Sequence, residues 1–172
     1  MYRPVERADL ATIASLMNRA YRGISDAGWC SEEGYLAGNR TTEELLHADL
    51  AAKPVATFLK WQDDPTGAII GCVWLEPFGD GIWYLGSLAI DPAKQNEGLG
   101  RTMLVAAEDW AREQGAKRIR MKVINVRETL IAWYLRRGYA LTGETEPFPY
   151  GDDRFGTPLR DDLTFVVMGK AI

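Results

Sequence analysis

The sequence predicts an α/β fold of the α+β kind: a mixed, mostly antiparallel central sheet of about seven strands, flanked by about four helices. Three observations predict it. Apolar residues recur at helical spacing in some segments and alternate in others, and the two kinds are interleaved along the chain. Three strand-like runs, 55–61, 68–78 and 82–90, are joined by tight turns, as in an antiparallel meander. Finally, Leu88-Ala89-Ile90 leads through Asp91-Pro92 into a short turn carrying Gly98 and Gly100, and a long amphipathic helix follows.

The whole chain, 1–172, is expected to be a single domain long enough for a sizeable core. Hydrophobic content of 47% and charged content of 26% are those of a soluble globular protein. No apolar run nears the roughly 20 residues of a membrane span. The start, Met1-Tyr2-Arg3-Pro4-Val5-Glu6, lacks the apolar core of a secretion signal, so a cytoplasmic location is expected. Cys30 and Cys72 have no motif spacing and are expected as reduced thiols. A net charge of -4 argues against non-specific nucleic-acid binding. One histidine, His47, and two unclustered cysteines argue against a metal site.

In order, 2–6 reads as a first strand. Asp9 is placed to cap a helix carrying Leu10, Ile13, Ala14, Leu16, Met17, Ala20 and Tyr21 at helical spacing, which Gly23 ends. Residues 25–40 read as a loop or broken helix holding Trp29, Tyr35, Glu32 and Glu33. Thr41-x-x-Glu44 is a capping box for a second helix to about Ala52, with His47 on its surface. After the meander comes the long helix, with Leu99, Met103, Ala107, Trp110 and Ala111 on one face and Gly115 at its end. Residues 118–123 alternate Ile119, Met121 and Val123 against Arg118, Arg120 and Lys122, a strand with one wet face. A helix over about 127–137 stops at Gly138. Strands over 139–145 and 163–169 close the chain, with an irregular aromatic loop, 146–162, between them.

The turn at 91–101 is the chemically informative stretch. Glycine lets a ligand approach the backbone, and the first amides of a helix point outward at the positive end of its dipole. Strand, glycine-rich turn and helix start together favour an anion, most often phosphate. The dinucleotide fingerprint fails, because its third glycine position holds Met103. The P-loop fails as well, with Arg101 for its lysine and Gln95 for its first glycine.

The hexapeptide Gln95-Asn96-Glu97-Gly98-Leu99-Gly100 does resemble the pyrophosphate arm of the GCN5-related N-acetyltransferases, the GNAT family, whose pattern is Q/R-x-x-G-x-G/A after a strand. Tyr134-Leu135-Arg136-Arg137-Gly138-Tyr139 resembles the family's Y-x-x-x-G-F/Y, and the element order is the family's order, so the resemblance covers nearly the whole chain. It implies a sheet splayed between the strand ending at Ile90 and the one starting near Arg118, with the pantetheine arm of acetyl-CoA in the gap. The implied activity is transfer of an acetyl group from acetyl-CoA to a primary amine of a small molecule or protein, by direct attack in a ternary complex. It implies no nucleic-acid or membrane partner and no metal, and it leaves a homodimer open.

The resemblance also assigns residues. The Leu88 amide would polarise the thioester carbonyl. Leu88, Ala89 and Ile90 would lie along the pantetheine, and amides of Gln95, Asn96, Glu97, Gly98, Leu99, Gly100 and Arg101 would hold the pyrophosphate. Tyr134 would protonate the leaving thiolate. Two departures stand out. Many relatives carry a glutamate four residues before the carbonyl-binding amide; here that position is Tyr84, a poor base at a phenol pKa of about 10. Glu76 is then a base candidate, as are a water or the loop acids Glu32 and Glu33. The position seven before Tyr134, often asparagine beside the cofactor, is Arg127, with Asn125 two residues upstream. Trp29, Tyr35, Tyr84 and Tyr150, with Phe148 and Phe155, are candidates for the acceptor wall. Tyr84 in place of the acid keeps a non-catalytic acyl-CoA-binding module open as the alternative, with a nucleotide binder unrelated to CoA behind it.

Overall fold

A computed structural model describes residues 1–23, 32, 34–64, 67–152, 154 and 156–172, with 95–97 described by their backbone alone. Strand β1 (Tyr2–Pro4) leads into α1 (Leu10–Arg22), the two-residue β2 (Leu36–Ala37) and α2 (Glu43–Ala52). The meander is β3 (Thr57–Gln62), β4 (Ile69–Gly79) and β5 (Ile82–Ile90), followed by α3 (Leu99–Glu113). Then come β6 (Arg118–Ile124), α4 (Glu128–Leu135), β7 (Ala140–Pro147), the short β8 (Thr157–Pro158) and β9 (Thr164–Ala171). Among the described residues, seven strands form one sheet in the order β1-β3-β4-β5-β6-β9-β7. Every neighbouring pair in it is antiparallel except β5 with β6.

Side chains alternate across the sheet and build a core on each face. On one face Phe58, Cys72 and Ala89 pack against Leu10, Ile13, Leu16, Met17 and Tyr21 of α1 and Leu46 of α2. On the other, Leu59, Val73, Leu75, Leu88 and Ile90 pack against Met103, Leu104, Ala107 and Ala111 of α3 and Leu130 and Tyr134 of α4. The apolar spacing read from the sequence for α1 and α3 is therefore the buried face of each.

Three local readings are corrected. Asp9 does not cap α1 by its side chain; its carboxylate accepts from the Glu6 amide and from Lys60 Nζ, both at 2.7 Å, and closes a 3-10 turn ahead of the helix. The cap of α2 is Thr42 rather than Thr41, with its hydroxyl accepting from the Leu45 amide at 3.2 Å. The loops 25–40 and 146–162 are not wholly irregular: β2 pairs with β8, Leu36 opposite Pro158 and Ala37 opposite Thr157. Two residues are too short a run for an alternation pattern to betray.

Two irregularities shape the middle of the sheet. The parallel pairing of β5 with β6 covers only Ile82–Arg118, Trp83–Ile119 and Tyr84–Arg120. Beyond Tyr84 the strands have no register, so the sheet opens there. On the opposite side, β5 carries a bulge against β4: Trp74 faces Gly86 and Cys72 faces Ala89, leaving Ser87 and Leu88 against Val73 alone. Ser87 adopts φ 50, a left-handed backbone unusual for a residue other than glycine. Bulges next to functional sites re-aim the groups they carry.

Helix α3 lies close on the sheet at Gly71. A Cβ there would overlap the Met103 thioether and meet the Ala89 carbonyl oxygen at 3.0 Å. Gly71→Val is expected to lose about 1–3 kcal/mol of stability by overpacking, measured by urea unfolding; wild-type stability would show that α3 yields at no cost.

Candidate active site

The opening between β5 and β6 continues into a cavity of about 700 Å³. Its floor is Leu85, Gly86, Ser87 and Leu88 of β5 facing Met121, Val123 and Ile124 of β6. Tyr134 and Leu130 of α4 border one end, and Glu76 and Phe78 of β4, Tyr84, Arg120, Lys122 and Glu146 border the other. Tyr21, Glu32, Leu36, Arg40 and Arg127 close the α1 side, and Phe148 and Phe165 the side of the last loop.

Leu88 and Tyr134 thus reach the same cavity from β5 and α4. Tyr134 is only 6% exposed, its ring edge-on to Trp133 at 5.0 Å and to Tyr139 at 5.5 Å. Tyr139 in turn donates to Glu108 at 2.9 Å, and burial raises its phenol far above the usual range. The aromatic cluster fixes the Tyr134 ring from behind.

The position four before Leu88 is filled by the Tyr84 ring, which lies over Gly86; a Cβ on Gly86 would sit 2.7 Å from it. Burial raises the Tyr84 phenol above its ordinary value, with Arg40 opposing the rise. Tyr84 therefore stays protonated near neutrality and is suited to donating or stacking rather than to taking a proton. Glu76 is its register partner on β4. The Glu76 carboxylate is held by Lys53 Nζ at 2.6 Å and by Trp74 Nε1 at 3.3 Å.

Charged pairs wall the end of the cavity near Tyr84. Lys122 donates to Glu146 at 2.9 Å, and Arg120 reaches Glu146 at 3.1 Å and Glu144 at 2.8 Å. Glu32 lies between Arg22 and Arg127, the latter at 3.2 Å, with the Glu32 and Arg127 side chains each 7% exposed. A buried carboxylate shared by two guanidinium groups is built for holding a shape. Arg120, Lys122 and Glu146 escaped the sequence reading, although the wet face of 118–123 was visible: on a strand beside a splay, that wet face becomes cavity wall.

At the start of α3, Gly98 has φ 71 and nothing lies within 4 Å of where its Cβ would be. The first helical amides bonded back are those of Arg101 and Thr102, to the Gly98 carbonyl at 3.1 and 3.3 Å. The Leu99 and Gly100 amides precede them in the first turn, where a helix has no internal acceptor for its amides. This left-handed, side-chain-free turn at a helix start fits a pyrophosphate, and the opened sheet edge fits an extended pantetheine. Ala89 and Ile90 are fully buried in the core, and of the three residues Leu88–Ile90 only Leu88 lines the cavity.

The other described sequence candidates, Arg127 on the cavity's α1 side among them, are engaged by protein groups. Asn125 bonds the Asp162 carbonyl at 3.1 Å and accepts from the Thr164 amide at 3.0 Å, anchoring the start of β9. Arg127 turns to Glu32 and the Tyr21 ring. Tyr150 is 45% exposed; its hydroxyl accepts from the Leu163 amide at 2.8 Å, and Phe148 rather than Tyr150 lines the cavity. Tyr35 bonds Glu32 and Leu159 through its backbone, with Arg160 6.0 Å from its ring centre. Trp29, Glu33 and Phe155 lie outside the described residues. Among the described residues, no three His, Cys, Asp or Glu side chains group as a metal site, and no helix is long and apolar enough to cross a membrane.

This splayed sheet with a glycine turn at α3 defines an acyl-CoA transferase architecture, and comparison with known proteins agrees. The Acetyltransferase (GNAT) family model matches residues 16–139. The chain belongs to the GNAT acetyltransferase family. It is 24% identical over 134 residues to the uncharacterized N-acetyltransferase YdgE of Bacillus subtilis (strain 168), covering 74% of this chain and 82% of that one. It is 31% identical over 86 residues to the probable N-acetyltransferase 14 of Danio rerio, covering 49% of this chain and only 31% of the zebrafish protein. The fold is shared with the ribosomal-protein-alanine N-acetyltransferase from Brucella melitensis (TM-score 0.69, 20% identity, 100% and 99% of the two chains). It is also shared with a GNAT family acetyltransferase from Elizabethkingia anophelis with acetyl-CoA bound (TM-score 0.62, 17% identity, 76% and 84%).

The hydrogen bond from Lys122 holds the Glu146 carboxyl below the usual carboxylate range. A depressed native pKa gives a stabilisation that is present above the unfolded-state value and lost as pH falls through the native one. Glu146→Gln should therefore flatten the fall of Tm between roughly pH 5 and pH 3, followed by calorimetry across that range. An unchanged acid slope would show that the pair contributes nothing measurable.

Proposed function

We propose that this protein transfers an acetyl group from acetyl-CoA to a primary amine of a small molecule or protein, by direct attack in a ternary complex. The observation that carries the reading is that β5–β6 pairing ends at Tyr84 and Arg120, so that the Leu88 backbone and Tyr134 share one cavity. Acetyl-CoA supplies the activated acetyl thioester. The amides at Gly98–Arg101 would hold its pyrophosphate, and the edge of Leu88–Ile90 its pantetheine. The Leu88 N–H would stabilise charge growing on the carbonyl oxygen. Tyr134 would give its proton to the departing sulfur; a phenol near 10 and a thiol near 8.5 are close enough for transfer across a hydrogen bond in a dry site. Glu76, beside Tyr84 at the acceptor end, is the carboxylate we assign to take the proton that the incoming ammonium must lose before its nitrogen can attack the carbonyl carbon. Tyr84, a protonated phenol in the acid's usual place, is the one feature favouring the alternative of a non-catalytic acyl-CoA-binding module.

Incubation with acetyl-CoA and a panel of amines, following thiol release, decides between these. Amine-dependent release supports transfer; CoA binding in calorimetry with no release for any amine supports the binding module. Within the transferase reading, Tyr134→Phe should lower turnover roughly 10²–10⁴-fold while leaving Tm and acetyl-CoA affinity near wild type. Undiminished turnover in a folded variant would leave Tyr134 a packing residue.

A β-branched residue at Gly98 would have to adopt the left-handed φ of 71. Gly98→Val is expected to weaken CoA binding at least about 10-fold by displacing the α3 amides, with an unchanged far-UV spectrum. Normal CoA affinity would place the phosphate site elsewhere.

A further inference from the structure

Leu88 sits in a bulge, and a bulged peptide needs something to fix its direction. Two side chains that the proposed chemistry leaves unused do so. The Tyr21 hydroxyl, from the last turn of α1, donates to the Leu88 carbonyl at 3.1 Å. The Cys72 thiol, on β4, donates to the Ser87 carbonyl at 3.6 Å. Both are buried, Tyr21 at 8% and Cys72 at 0% exposure.

The Ser87 carbonyl and the Leu88 N–H belong to the same peptide unit. Among the described residues no peptide is cis, and a planar trans unit points its C=O and N–H in opposite directions. Cys72 belongs to the core on the α1 face, whereas Leu88 and Tyr134 belong to the core on the α4 face. Drawing the Ser87 carbonyl toward the Cys72 thiol thus tilts the Leu88 N–H away from α1, toward the side where Tyr134 stands. Tyr21 bonds the next peptide unit, so both peptide units flanking the Leu88 α-carbon are held by a buried side chain. The Tyr21 ring is itself held: guanidinium carbons of Arg40 and Arg127 lie 5.4 and 5.9 Å from its centre, and Arg127 is anchored by Glu32.

We propose that Tyr21, assisted by Cys72, is a positioning residue that aims the Leu88 amide at the thioester carbonyl. The inference rests on the role given to Leu88 above. Tyr21 borders the same cavity, but its hydroxyl is engaged by the Leu88 carbonyl, so its role here is through the backbone it pins. Misplacing a reacting geometry by about 1 Å can cost 10²-fold, and outright loss of an oxyanion donor costs about 10²–10³.

The test is Tyr21→Phe, which keeps the ring and removes the hydroxyl. Turnover should fall about 10- to 100-fold, with CoA affinity and Tm near wild type. The decisive readout is difference infrared spectroscopy of bound acetyl-CoA labelled with ¹³C at the acetyl carbonyl. In the wild type the carbonyl stretch should move to lower frequency than in solution, and in Tyr21→Phe it should return toward the solution value. A stretch and turnover unchanged in Tyr21→Phe would overturn the inference while sparing Leu88. No shift in the wild type, with CoA bound, would remove the Leu88 role and this inference with it, leaving CoA binding intact. Should Tyr21→Phe fail to fold, Cys72→Ala decides by the same spectrum, with a smaller return expected from the weaker thiol bond.

Discussion

The structure depends on where one parallel strand pair stops. Strands β5 and β6 share a register for three residue pairs and then part. Backbone amides and carbonyls cannot be buried without partners, so an opened edge in the middle of a sheet must meet solvent or an extended ligand. The other features arrange themselves around that demand. The bulge at Ser87–Leu88 re-aims the β5 backbone, α3 starts at the left-handed Gly98, and α4 brings Tyr134 to the far lip.

The cavity is charged but tightly cross-linked. Glu32, Glu76 and Glu146 each touch at least one cation, and the lining cations Arg120, Lys122 and Lys53 each touch one of these carboxylates. Such pairs add little net stability when exposed. Their effect is to fix the wall's shape and to leave a patterned, rather than uniform, potential facing the cavity. Lys122 also lies 5.9 Å from the Tyr84 ring centre and 5.4 Å from that of Phe165, so charge and aromatic surface are presented together.

Much of this was legible in the sequence. The α1 and α3 faces, the meander and the glycine turn at 98–100 are local patterns, and local patterns survive in sequence because period and turn chemistry act over a few residues. The position of β9 between β6 and β7 and the pairing of β2 with β8 are contacts between distant segments, which no window can show. At the site, Leu88 and Tyr134 came from the resemblance to the acetyltransferase motifs and Glu76 from its place on the preceding strand, and all three line one cavity. Tyr21 was read as apolar helix face, correctly as far as burial goes, but its hydroxyl was the part that mattered. Asn125 and Arg127 were drawn by position in a motif, whereas their side chains are engaged by Asp162, Thr164 and Glu32.

The seam at Tyr84 divides the sheet into two panels, β1-β3-β4-β5 and β6-β9-β7. Across the sheet itself they are stitched by three residue pairs. A molecule lodged in the gap and bonded to both panels acts as a missing length of strand. Occupancy and cohesion are then linked by mass action, because whatever binds only the folded chain shifts its unfolding equilibrium by an amount set by concentration over Kd. On the proposed reading the thioester donor would be mortar as well as reagent, and the protein without it the looser of the two.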